Sequence, residues 1–353
     1  MDLPESMRAA RLHRVRTPDA PEDLRVDEVP VPRPCPGEVL VRVLACGVCA
    51  SDLHVVQGVT PHGPSLPQVL GHEAAGEVAA VGEGVEGWLP GDRVVPLMGR
   101  PCSICGYCRI GRENLCRQLQ VAGIDTDGAM AEYVLADPRW LAPVPSTIPA
   151  AHAAILSDAV ATPYHALKRA GVGEGVVTVV VGLGGLGMHA VQLAALAGAT
   201  VVGVDVDPVN LERAREWGAD EVVDARDGDA ARAVRELTDG GADVALEFVG
   251  RTDTVATSVK SLRPGGRAAI VGLTPARMEL LPTALFVANE LEVVGSFGST
   301  AADLNELVDL VEAGRLDLSR SVTHTTDLDG VGEALHRLET RDDHPIRVVV
   351  ELG

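Results

Sequence analysis

A valine-dominated run, Val176–Val181, ends in Gly182-Leu183-Gly184-Gly185-Leu186-Gly187 and passes straight into a segment of helical periodicity. An apolar strand followed by G-x-G-x-x-G at the start of a helix leaves few folds open. Each glycine has its own duty. Gly182 makes the tight turn, Gly184 lets backbone approach a pyrophosphate, and Gly187 packs the helix closely on the strand. The helix start, with Gly185 and Leu186 in its first turn, offers free N–H groups and a positive dipole end to an anion.

The surrounding texture agrees. Apolar runs at 200–205, 221–223, 243–247, 267–272 and 291–295 alternate with helical patterns, one of them near 208–217. Six such strands predict a doubly wound parallel sheet of the Rossmann type, an α/β domain over 160–298. Upstream the pattern differs. Residues 1 to about 155 read as short strands and turns, including Glu38–Cys46 and Gly76–Val85, with prolines at 30, 32, 34 and 36 marking an extended connection. That predicts a mostly antiparallel β domain. Two helical segments (roughly 301–313 and 328–340) and a last strand, IRVVVEL, follow the sheet. With 353 residues, about two domains is the expectation.

The second strand ends with Asp205, 18 residues after Gly187. A carboxylate there accepts both ribose hydroxyls and repels a 2′-phosphate, which favours NAD over NADP. Asp207 competes for that role but reads better as a helix cap before Pro208.

Charge removes other partners. A formal net charge of −20, with no Lys/Arg cluster, argues against nucleic acid and anionic membrane surfaces. No leader-like or membrane-length apolar stretch is present, so a cytoplasmic protein is expected. In a reducing compartment the seven cysteines are thiols. Four of them, Cys102, Cys105, Cys108 and Cys116, form C-x-x-C-x-x-C-x7-C. Closely spaced thiols read as an all-thiolate zinc site pinning a loop of little apolar content, with an iron–sulfur cluster or unconnected cysteines as alternatives. Zinc held by four thiolates has no open position and is structural.

An open metal site needs mixed ligands. The candidates are Cys46, Cys49, His54, His72 and Glu73, together with carboxylates further on. Cys49 and His72 both sit in glycine-flanked segments read as loops.

The four-cysteine lobe upstream of a nucleotide fold, preceded by GVCASDLH and GHEAAGEVAAVGEGV, resembles the zinc-dependent medium-chain dehydrogenase/reductase family, in particular its zinc-containing alcohol dehydrogenases. The likeness covers nearly the whole chain. It implies a GroES-like catalytic domain, residues 1–159 with 299–353, whose structural zinc lobe spans about 99–117. It implies two zinc ions per chain, and Cys49 and His72 as ligands of the catalytic one. The third ligand of the family is Cys or Asp; LSDAVATPYHA holds no cysteine, and Asp158 stands at the matching place, where it would otherwise cap a helix. Glu73 is implied to lie close to the metal and to be able to join it, and Asp52 to fix the His72 tautomer.

Ser51 and His54 resemble the family's proton relay, suited to a histidine whose pKa lies near neutrality. Thr162 is implied to approach the nicotinamide, and Arg347 the pyrophosphate. Thr60, Leu97 and Met98 are implied to line an apolar substrate pocket, although Met98 also suits plain core packing. The implied reaction is reversible oxidation of a small-molecule alcohol to an aldehyde or ketone, with hydride passing to NAD. Polyol dehydrogenases and biosynthetic carbonyl reductases share this pattern. A non-catalytic nucleotide-binding protein has no physical reason to keep an open metal site, and a zinc-free quinone reductase needs neither metal site. The family forms dimers and tetramers, and LEVVGSF (291–297) is a candidate edge for such a homo-oligomer. Cys35 and Cys46 are expected to be buried packing residues.

Overall fold

In the computed structural model, which describes residues 3–60, 63–278 and 280–353, the valine run becomes an inner strand, Val177–Val181, of a six-stranded sheet. The order is Glu221–Asp224, Thr200–Asp205, Val177–Val181, Ala242–Glu247, Leu262–Ile270, Glu292–Gly295, parallel throughout. Later strands are added first on one side of Val177–Val181 and then on the other. That switch point opens a crevice at the carboxyl ends of the strands. The connecting helices start where their caps dictate. Asp207 accepts from Val209 N–H at 2.9 Å with Pro208 in the first turn, so Asp207 is a cap. Asp229 does the same for Ala230–Leu237. This unit spans Thr162–Gly298.

The other unit, Met1–Ala161 with Ser299–Gly353, is discontinuous in sequence. Its seven-stranded sheet is organised on Val39–Val48, which pairs antiparallel with Glu73–Val81, Tyr133–Ala136 and Arg347–Glu351. Because a strand alternates its faces, Val39, Val41 and Val43 enter one core with Leu70 and Met130. Leu40 enters another, with Met7, Ala9 and Val69 of a three-stranded sheet. Val, Leu and Ala build most of both cores, as the scarcity of aromatics requires. No helix among the described residues is long and apolar enough to cross a membrane.

Two expectations need correction. The CASDLH segment is not a loop: Ala50–Val56 is a helix with Cys49 at its N-cap, and Asp52 accepts the Cys49 N–H at 2.8 Å in the manner of half a capping box. Cys35 is exposed rather than packed. It lies in the proline-rich connection, where its carbonyl accepts Glu38 N–H at 3.0 Å. Cys46 is fully buried, as expected.

Candidate metal centres and cofactor cradle

Three separate pieces of the first unit converge at one point. Cys49 sits at the end of the Val39–Val48 strand, His72 and Glu73 at the start of Glu73–Val81, and Asp158 just past the Ile155–Ser157 turn. One donor atom from each of Cys49, His72, Glu73 and Asp158 lies within 4.8 Å of the others. Cys49 Sγ is 3.3 Å and His72 Nε2 3.7 Å from Asp158 Oδ2. The opposite ring nitrogen, His72 Nδ1, is 3.3 Å from Asp52 Oδ1. Asp52 thus stands behind the ring while Nε2 faces the cluster, although Nδ1 makes no hydrogen bond of good geometry among the described residues. The same carboxylate also accepts Gly71 N–H at 3.2 Å. Gly71 has φ +95°, and an added Cβ there would press on Cys46 Sγ and Met130, so the turn that aims His72 requires glycine.

The electrostatics of the cluster suit a cation. Burial alone would lower the His72 imidazole, but the carboxylates of Asp52 and Asp158 outweigh it and hold the pKa well above its ordinary value. Burial pushes the Glu73 carboxyl well up, with Arg347 pulling it the other way. A thiol, an imidazole and two carboxylates are a donor set that fits zinc. Arg347, implied to approach the pyrophosphate, lies buried beside this cluster. It is 3% exposed, Nη2 is 2.8 Å from Glu73 Oε1 and 3.6 Å from Asp158 Oδ2, and Nη1 donates to the Val48 carbonyl at 3.4 Å.

On the Ala50–Val56 helix, Ser51 and His54 are three residues apart and share a face. Ser51 Oγ lies 3.9 Å from Cys49 Sγ. Thr60 Oγ1 is buried with no hydrogen-bond partner among the described residues. Leu97 donates its N–H to the Trp140 carbonyl at 2.7 Å, and Met98 belongs to the buried core.

The second cluster is the cysteine lobe. Sulfurs of Cys102, Cys105, Cys108 and Cys116 lie within 4.8 Å of one another. Cys116 Sγ accepts the N–H groups of Cys102 and Gln118 at 3.2 and 3.4 Å. The Cys108 backbone N–H leads in pushing the Cys105 thiol down to about 6, while desolvation leads in pushing Cys108 up to about 12. Four thiols this close cannot all ionise unaided; a divalent metal resolves the conflict. Between the last two cysteines, buried Glu113 reaches across the unit and accepts Ala301 N–H at 2.8 Å.

In the other unit the glycine motif divides its labour as its spacing suggests. Gly182 has φ +89° and no room for a Cβ beside Val249; a Cβ at Gly187 would strike the Gly182 carbonyl; beside Gly184 there is open space. Gly185 and Leu186 open the helix Gly185–Leu196. Asp205, at the strand tip, accepts Leu183 N–H at 2.6 Å, Val206 N–H at 2.7 Å and Asp207 N–H at 2.9 Å. Its carboxylate thus ties the strand tip to the glycine turn. Thr162 is buried in the first turn of Ala161–Ala170.

Comparison with known proteins places this geometry. Residues 35–146 match the alcohol dehydrogenase GroES-like domain and residues 185–313 the zinc-binding dehydrogenase family. An NAD-dependent alcohol dehydrogenase of Sulfurisphaera tokodaii is 36% identical over 343 residues, covering 94% of this chain and 96% of that protein. A sorbitol dehydrogenase of Bacillus subtilis is 32% identical over 99% of this chain and 98% of its own. The solved alcohol dehydrogenase of Aeropyrum pernix superposes with a TM-score of 0.87 at 37% identity, covering 98% of this chain and all of that one. The chain belongs to the zinc-dependent medium-chain dehydrogenase family. Its chemistry is therefore that of an oxidoreductase acting between alcohols and carbonyl compounds.

Proposed function

We propose that the protein interconverts a medium-sized apolar alcohol and its aldehyde or ketone, using NAD and a zinc ion held by Cys49, His72 and Asp158, with a second, structural zinc in the cysteine lobe. The observation that carries this reading is the convergence of thiol, imidazole and carboxylate, with Asp52 behind the imidazole. Zinc at such a centre supplies Lewis acidity toward an alcohol or carbonyl oxygen.

The protein's own residues do the rest. Ser51, beside Cys49, is assigned to take the substrate proton, and His54, one turn further on the same helix face, to pass it on. Asp52 keeps the His72 proton on Nδ1. Asp205 presents a carboxylate where the adenosine ribose of NAD falls, and the turn at Gly182, Gly184 and Gly187 receives the pyrophosphate. Thr162 is assigned to the nicotinamide end. Thr60, Leu97 and Met98 are assigned to the substrate pocket, where an apolar, adaptable lining suits a medium-sized alcohol. A polyol is the second reading, favoured by the sorbitol dehydrogenase that matches almost the full length. All seven cysteines are free, which suits a reducing cytoplasm. The edge strand Glu292–Gly295, with exposed Leu285 and Val287 nearby, suits pairing with a second copy.

The test is a panel of alcohols, polyols and ketones with NAD and NADH, run beside metal analysis. Close to two zinc ions per chain and turnover of simple secondary or primary alcohols are expected. Cys49→Ala should retain about one zinc and lose turnover while still binding NAD; full activity in that variant refutes the assignment.

A further inference from the structure

The helix that opens at the glycine turn carries one residue its surroundings do not call for. Met188, Ala190 and Val191 are fully buried apolar side chains, and His189 is buried as completely, at 0% exposure. Packing alone gives no reason for an imidazole, because leucine fills a similar volume without a polar group to satisfy. The ring is held from two sides. Nδ1 lies 2.6 Å from the Gly185 carbonyl oxygen, one helical turn back. A carbonyl only accepts, so Nδ1 carries the proton and donates it there. Trp217, at the end of Pro208–Glu216, meets the ring edge-to-face with centroids 5.5 Å apart.

We infer that His189 is a positioning residue for the cofactor's pyrophosphate: its Nδ1–H holds the first turn of the helix and polarises the Gly185–Leu186 peptide toward the anion. The inference rests on the NAD reading proposed above. Gly185 is the first residue of Gly185–Leu196, and its carbonyl is where the helical bond from His189 N–H arrives. The imidazole is therefore a second donor on one oxygen. That oxygen shares its peptide group with Leu186 N–H, which lies in the first turn and has no partner within the helix. Drawing electron density toward the oxygen makes the N–H of the same peptide a stronger donor. Free N–H groups of this turn are the ones that receive a pyrophosphate, so the effect of the buried ring is felt at the ligand without contact. Trp217 keeps the ring from turning away from Gly185.

The experiment measures binding of NADH and ADP-ribose to the full chain by titration calorimetry, and of adenosine by competition with NADH, readouts independent of turnover. If the unsubstituted chain binds neither NADH nor ADP-ribose, the NAD reading fails and takes the inference with it. His189→Leu removes the donor from a filled site. Both ligands should then bind about three- to fivefold more weakly, the scale of a modest weakening of one charge-assisted hydrogen bond. Adenosine, which has no phosphate, should bind as before. His189→Asn has the shape of the leucine variant but returns an N–H at the δ position, so NADH affinity should recover to within about twofold of the unsubstituted chain. Unchanged ADP-ribose binding in His189→Leu, an equal loss for adenosine, or no recovery with asparagine overturns the role. Should His189→Leu not fold, His189→Gln serves. Its amide reaches the ε rather than the δ position, so the same loss is expected, and full affinity would again overturn the role.

Discussion

A single carboxylate, Asp205, carries two duties. It holds the glycine turn through Leu183 N–H, and in the proposed function its remaining acceptor capacity serves the ribose of NAD. Alanine would remove both duties together, so asparagine is the cleaner probe. Asp205→Asn should raise the NADP-to-NAD ratio of kcat/KM by about tenfold, through loss of repulsion toward a 2′-phosphate. An unchanged ratio contradicts the role. Residues whose partners are near in sequence were readable from the outset: the cysteine lobe, Asp205, Asp207 as a cap, and the three glycines. Arg347 was not, because Glu73 and Asp158 reach it only after the last strand has joined Val39–Val48. Spacing carries no signal for a contact made between opposite ends of a chain.

At the level of elements, the Rossmann strands and helices were legible because a buried strand and a capped amphipathic helix each announce themselves by period and cap. The Ala50–Val56 helix was not. It has seven residues, its N-cap is a cysteine rather than Ser or Thr, and its only cap signal is Asp52. Glu113 shows another kind of hidden link. It belongs to the cysteine lobe yet accepts Ala301 N–H at the start of the Ala301–Glu312 helix, alongside the Thr300–Asp303 capping box. A negative group there complements the helix dipole. Glu113→Ala should cost about 1–2 kcal/mol of unfolding free energy in urea titrations. Stripping the lobe of metal should abolish most of that difference, since the lobe is what holds Glu113 in place. Equal costs with and without metal would mean that the lobe and the helix are independent.

For the molecule as a whole, two textures of sequence gave two units; the second crossing falls at Gly298–Ser299 in a Gly-Ser-Thr loop, but the first carries no linker-like composition. It falls at Ala161–Thr162, inside the first turn of a helix. Assembly was hinted at by the edge strand. Leu285→Glu with Val287→Glu should convert the proposed oligomer into monomers in sedimentation or light scattering; an unaltered particle size rules out this face.

The arrangement of the last strand bears on how the protein is born. Arg347–Glu351 is wedged between Val39–Val48 and Val322–Thr326, so the first unit stays unfinished until residues 347–351 have been made. The contiguous Thr162–Gly298 segment has no such wait and can fold while synthesis continues. Order of translation and order of folding are thus inverted: the unit begun first matures last, its central sheet open until Arg347–Glu351 closes it.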